Sequence, residues 1–177
     1  MKYVLLLRGI NVGGKNKVSM SALKEQLLKI GFEDVSSYIN SGNIIFDTTD
    51  GIDTVNQNIS KILNTYPFKI NKVILSQSEY LEELENLPSW WFNDSYRKDV
   101  LFYTNEIDYS FVRARIEQMP LLDEAVHFGK NTVFWGKYNE TSYLKTSYHK
   151  YLIKESFYKS VTIRNSRTFE KIADLLK

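Results

Sequence analysis

Apolar positions change their period several times along the chain, and each change predicts an element. Residues 2 to 8 hold a short apolar run (Val4, Leu5, Leu6, Leu7) that stops at Gly9, the length and flanks of a strand. Met20, Leu23, Leu27 and Ile30 then recur at helical spacing, with Ser19 as cap, Val18 placed to staple onto Leu23, and Gly31 at the exit. Val35 to Ile39 and Asn43 to Asp47 are predicted strands around the turn signal Asn40-Ser41-Gly42. Ile52, Val55, Ile59, Ile62, Leu63 and Tyr66 share a helix face that Pro67 stops, and Val73 to Leu75 supplies a further strand.

Strand, helix, strand, strand, helix, strand is the split βαβ order of ferredoxin-like domains. The same order follows a break at Pro88 to Asp94. Strands are predicted at Val100 to Tyr103, Ala125 to Phe128, Thr132 to Trp135 and Val161 to Ile163. Helix faces are predicted for Tyr109, Val112, Ile116 and Met119, and for Leu144, Tyr148, Tyr151 and Leu152. A last helix, capped by Asn165, turns Phe169, Ile172, Ala173 and Leu176 inward. The expected architecture is α+β, with two ferredoxin-like (βαββαβ) subdomains packed together. They comprise residues 1–77, a connecting helix and Trp-containing linker at 78–98, and 99–177 with the extra C-terminal helix. Ser76 and Glu79 form a capping box for the connecting helix. No residue-level repeat links the halves, so a duplication rests on element order alone.

Composition narrows the chemistry. Cys is absent, which removes disulfides, thiol nucleophiles and Cys-ligated metals, and the two His are far apart without a carboxylate at ligand spacing. No metal site and no cofactor are expected. The net charge of +2 is too small to make the whole surface a polyanion binder, so only local charge counts. The N-terminal apolar run is cut by Arg8 short of a signal peptide or membrane span, which predicts a cytoplasmic chain without membrane association. Oligomeric state is not specified. The first strand and the strand near residue 100 are apolar on both faces, unlike the open aromatic face of an RNA-recognition sheet, and the RNP1 pattern is missing.

Local charge concentrates at Arg8-Gly9-Ile10-Asn11-Val12-Gly13-Gly14-Lys15-Asn16-Lys17, between a strand and a helix N-terminus. Gly13 and Gly14 free backbone N–H groups for an anion, Arg8, Lys15 and Lys17 add charge, and Asn11 adds an amide. The spacing fits neither nucleotide-loop motif, and a solvated surface loop is the plain alternative. Split βαβ topology brings the second hairpin to the same end of the sheet, and with it Tyr38, Ser41 and Asn43. Asn43 and Asn40 equally suit a tight turn. A second strand-to-helix junction carries Arg164 and Asn165, candidate ligand groups that complete the pocket if the halves fold together, with pairing of the arginine to a surface acid as the plain alternative. Glu79, Glu82, Glu83 and Glu85 on the connecting helix read as a solvated acidic face, and Trp90 to Phe92 as a small core under the linker.

The motif from Arg8 through Gly14, then Lys15, Val18, Met20, Leu23, Gly31-Phe32 and Tyr38-Ile39-Asn40-Ser41-Gly42-Asn43, resembles the bacterial family known as domain of unknown function 1697. The similarity resumes at Thr162, Arg164-Asn165, Thr168 and Lys171. It implies an α+β fold of two related subdomains with no assigned activity. Ser166 stands where the family tends to carry an aromatic, so no stacking role is expected there. The expected function is binding of a small anionic or phosphate-bearing ligand, nucleotide-like, at the Gly-rich basic loop. The rival is a nucleic-acid or protein interaction module using the basic N-terminal surface. Whether a reaction is catalysed is not specified by these residues.

Overall fold

The computed structural model describes residues 1–104 and 106–177. The chain forms two compact units, Met1–Leu81 with Leu175–Lys177, and Glu82–Asp174.

In the first unit, β1 (Lys2–Leu7), β2 (Glu33–Tyr38), β3 (Asn43–Asp47) and β4 (Lys72–Ser76) form an antiparallel sheet in the order β2-β3-β1-β4. Two helices, α1 (Met20–Lys29) and α2 (Ile52–Leu63), supply the apolar stripes that meet Tyr3, Leu5 and Leu7. Phe32 stacks on Phe46 at 4.5 Å in that core. Val4 and Leu6, which alternate with those residues, are fully buried too, so the opposite face of β1 is closed as its two-sided apolarity requires. Ser19 caps α1 by accepting from the Ala22 N–H at 3.2 Å. Ser19→Ala should therefore cost about 1 kcal/mol of stability, read as a lower urea midpoint. At α2 the N-cap is Gly51 without a side-chain bond, and Thr48 Oγ1 accepts from the Asp50 N–H at 3.1 Å. Ser76 and Glu79 make the expected capping box at the start of α3 (Gln77–Glu85): Ser76 N–H donates to Glu79 Oε2 at 2.8 Å, and Glu79 N–H to Ser76 Oγ at 3.3 Å.

In the second unit, β5 (Arg97–Tyr103), β6 (Glu124–Phe128), β7 (Thr132–Lys137) and β8 (Val161–Asn165) pair antiparallel in the order β6-β7-β5-β8. Helix α4 (Tyr109–Glu117) buries Val112 and Ile116 against Leu101, Val133 and Trp135. Asn165 caps α6 (Ser166–Leu176) through the Thr168 N–H at 2.8 Å. The helix predicted through Leu144 and Leu152 is instead a series of short turns around α5 (Ser147–Lys150). Tyr148 and Leu152 are buried, but Leu144 and Tyr151 are exposed. The reason is Glu124: its carboxylate accepts from the Ser147 N–H at 2.7 Å and the Tyr148 N–H at 3.1 Å, and Thr146 restarts the helix as N-cap. A buried carboxylate satisfying two otherwise orphan donors sets where the turn begins.

The acidic connector is likewise not a uniformly solvated face. Glu83 is buried and its carboxylate accepts from the Asn131 N–H and, at 2.8 Å, from Thr132 Oγ1. Beside it, Lys130 pairs with Glu82 at 2.9 Å. Together they hold the last turn of α3, which belongs to the second unit, to the β6–β7 hairpin. Trp91 is buried and donates to Glu170 Oε1 at 2.9 Å, with its ring edge-on to Phe134 and Phe169, whereas Phe92 is exposed.

Candidate functional site

At the end of β1, Arg8 N–H donates to the Asn71 carbonyl at 2.9 Å, and Leu7 N–H to the Gly42 carbonyl at 2.8 Å. The β2–β3 hairpin therefore closes onto the start of the basic loop. Inside the loop, Val12 and Lys15 form a bridge, and Lys15 N–H returns to the Val12 carbonyl at 3.0 Å. Gly13 and Gly14 both have positive φ (56° and 74°), the pattern of a two-residue type I′ turn, which only glycine adopts without strain at both positions. The loop is thus a miniature hairpin with the Gly-Gly pair at its tip.

Asparagines hold it in place. Asn11 donates from Nδ2 to the carbonyls of Val18 (3.0 Å) and Asn40 (2.8 Å) and accepts the Val18 N–H on Oδ1 at 2.9 Å. Its amide ties the loop to the second hairpin. Asn16 Nδ2 donates to the Gly9 carbonyl at 3.1 Å, and the buried Ile10 side chain anchors the base. In the β2–β3 turn, Asn43 is buried and donates to the Tyr38 carbonyl at 3.0 Å and to Ser41 Oγ at 3.1 Å.

The outward groups are of another kind. Gly13 and Gly14 are exposed, and their N–H groups have no acceptor among the described residues. Lys15 and Lys17 are exposed and without an ionic partner among the described residues. Arg8, at the base, is half-buried. Arg164 and Asn165 belong to the second unit, where Arg164 is largely buried, donates from Nη1 to the Ile163 carbonyl at 2.9 Å, and Asn165 serves as the α6 cap.

The second unit holds a charged cluster that the sequence reading did not single out. Lys137 (0 % exposed) and Asp99 (1 %) meet at 2.5 Å, Arg97 reaches Asp99 at 3.3 Å, and the Tyr148 ring lies under the Lys137 ammonium with its centroid 3.6 Å away. Burial lowers the Lys137 ammonium to about 8, against the raising effect of the Asp99 carboxylate. Burial also raises the Tyr148 phenol, and Asp99 adds to that rise. Its signal was present in the pattern: Val133, Trp135 and Lys137 alternate onto the inner face of β7, as Asp99, Leu101 and Tyr103 do on β5. Among the described residues no group of His, Cys, Asp or Glu side chains could hold a metal ion, and no helix is long and apolar enough to cross a membrane.

The model of a family described as "Protein of unknown function (DUF1697)" matches residues 1–134. The chain belongs to this family. That span includes the basic loop and the β2–β3 hairpin beside it. Among solved structures, the chain is similar to conserved bacterial protein SP0830 from Streptococcus pneumoniae, with 50% identity, a TM-score of 0.95, and coverage of 99% of this chain and 98% of that one. No curated protein matches the chain. Membership in DUF1697 brings the fold but no assigned reaction, so any function must be argued from the groups themselves.

Proposed function

We propose that this DUF1697 chain binds a small anionic, phosphate-bearing ligand at the rim of its first unit, in the cytoplasm. The carrying observation is the hairpin tip, where two acceptorless glycine N–H groups stand next to Lys15 and Lys17, neither of which has an ionic partner among the described residues. Amide donors beside exposed ammonium groups suit an oxyanion, which needs several donors and little shape. Arg8 adds a guanidinium at the loop base, and the Tyr38 and Ser41 hydroxyls orient the ligand from the neighbouring hairpin. Asn11 and Asn43 act as struts, because their amides already bind backbone and Ser41. All of these groups belong to the first unit.

Calorimetric titration with inorganic pyrophosphate checks it. Arg8→Ala should weaken binding by about 1.5 to 3 kcal/mol, the worth of a charge-assisted contact. Equal affinity in wild type and variant would remove Arg8 from the site. Salt response separates the rival: one pocket gives a shallow decline of log affinity with log salt, whereas an oligonucleotide spread over a basic surface gives a steep one.

A further inference from the structure

A trough in the second unit lies outside the rim described above. It runs between α4 and the turn at 151–156 as two adjoining clefts of about 450 and 370 Å³ that share Arg115, Tyr151 and Glu155. Either volume suits a small-molecule site. Two rings line the larger cleft while remaining open to water: Phe111 is 46 % and Tyr151 44 % exposed. Phe111 is seated edge-on against the buried Phe157, at 6.3 Å and 89°, so its ring is held from beneath.

The charges are arranged around those rings. Glu155, whose side chain is only 12 % exposed, grips Arg115 at two points, Nε at 3.1 Å and Nη2 at 2.9 Å. That grip fixes the guanidinium plane and leaves Nη1 without a protein partner among the described residues. The Lys154 ammonium, the Ser156 hydroxyl and the Tyr151 phenol of the same lining are also unpartnered there. Since the single acid is already engaged by Arg115, the lining presents surplus positive charge to a ligand.

We propose that this trough is a nucleotide site, in which Phe111 or Tyr151 stacks on a base while Arg115 Nη1 and Lys154 Nζ hold its phosphate. An inorganic anion would leave both rings in water, and an uncharged aromatic would leave both cations unanswered. A nucleotide answers the two together, because every base has a stacking face and guanidinium geometry suits phosphate. A free mononucleotide and a nucleotide within a single strand share this chemistry.

The test is a ¹H–¹⁵N NMR titration of the full chain with AMP, adenosine, inorganic phosphate, dTMP and pentathymidylate. AMP should shift the amides of 111–119 and 151–156 saturably, with adenosine and phosphate each binding at least about tenfold more weakly. The Phe111→Ala/Tyr151→Ala double variant should lose about tenfold or more in AMP affinity while keeping a folded spectrum, and Tyr151→Phe should keep wild-type affinity. Arg115→Ala should bring AMP down to the affinity of adenosine, and Arg8→Ala should leave the trough unchanged. Pentathymidylate binding more tightly than dTMP would identify a strand, and equal binding a free nucleotide; either upholds the site. The proposal is overturned if no probe shifts 111–119 and 151–156 saturably at millimolar concentration, or if AMP affinity survives the double variant. AMP shifts confined to residues 9–17 would uphold the rim and dismiss the trough.

Discussion

Lys137→Met is expected to destabilise the second unit by about 3 kcal/mol at neutral pH, because it leaves the Asp99 carboxylate buried with its nearest cation removed. Arg97, on the exposed side of the same carboxylate at 3.3 Å, keeps the loss near the low end for a broken buried pair. The double variant Asp99→Leu/Lys137→Met should recover wild-type stability or exceed it. That expectation rests on the cost of desolvating a buried ion pair, which apolar side chains of similar volume often avoid at no loss of stability. The Lys137 ammonium sets a pH signature. A lysine lowered from 10.5 to about 8 binds fewer protons in the folded than in the unfolded chain between those values, so its contribution makes stability rise with pH across that window. Tyr148, raised by burial and by Asp99, acts in the opposite sense near pH 10, where the unfolded phenol ionises and the folded one does not, so the clean window lies below pH 9. Urea midpoints from pH 7.5 to 9 should therefore climb more in wild type than in Lys137→Met. Parallel profiles would mean that the ammonium is not held in this environment.

Gly42→Ala is the second large effect, expected to cost about 2 to 5 kcal/mol from left-handed backbone strain together with overpacking. Gly42 has φ of 84°, and a Cβ there would lie 2.6 Å from Leu7 Cβ and 3.0 Å from Ile10 Cδ1. Leu7 Cβ is fixed to the central strand of the sheet and cannot retreat, so the hairpin must lift away. Lifting it breaks the Leu7 N–H to Gly42 bond and pulls Asn40 from Asn11, which ties loss of stability to loss of the rim. Gly51→Ala is the control: its φ of −73° is ordinary, no atom lies within 4 Å of an added Cβ, and the change should stay within about 1 kcal/mol. Similar urea midpoints for the two variants would contradict the close approach at Gly42.

Much of the sheet framework was legible because strands buried on both faces announce themselves as short apolar runs bounded by turn residues. The Gly-rich loop and the Asn40-Ser41-Gly42 turn were likewise legible from composition, and split βαβ order brought them to one end, where Asn11 does reach Asn40. What escaped sequence reading were polar residues whose partners lie far along the chain. Glu83 looked like one acid in a run, yet it receives Asn131 and Thr132 some fifty residues on. Glu124 breaks the expected helix near Leu144 by capping the turn at Ser147, a contact that no local period encodes. Asn11 looked like a ligand group, but its amide is engaged within the loop architecture. Residue type announces that a polar group needs a partner, and only the tertiary structure names it.

Titrating ¹⁵N-labelled chain with inorganic phosphate at low ionic strength, while following the Gly13, Gly14 and Lys15 amides, is the most direct measurement. Saturable downfield shifts are expected at the two glycines, with little change at Lys15, whose N–H already bonds to Val12, and loss of the response in a Lys15→Ala/Lys17→Ala variant. Static glycine resonances, or shifts that persist unchanged in that variant, would contradict an oxyanion site at this rim.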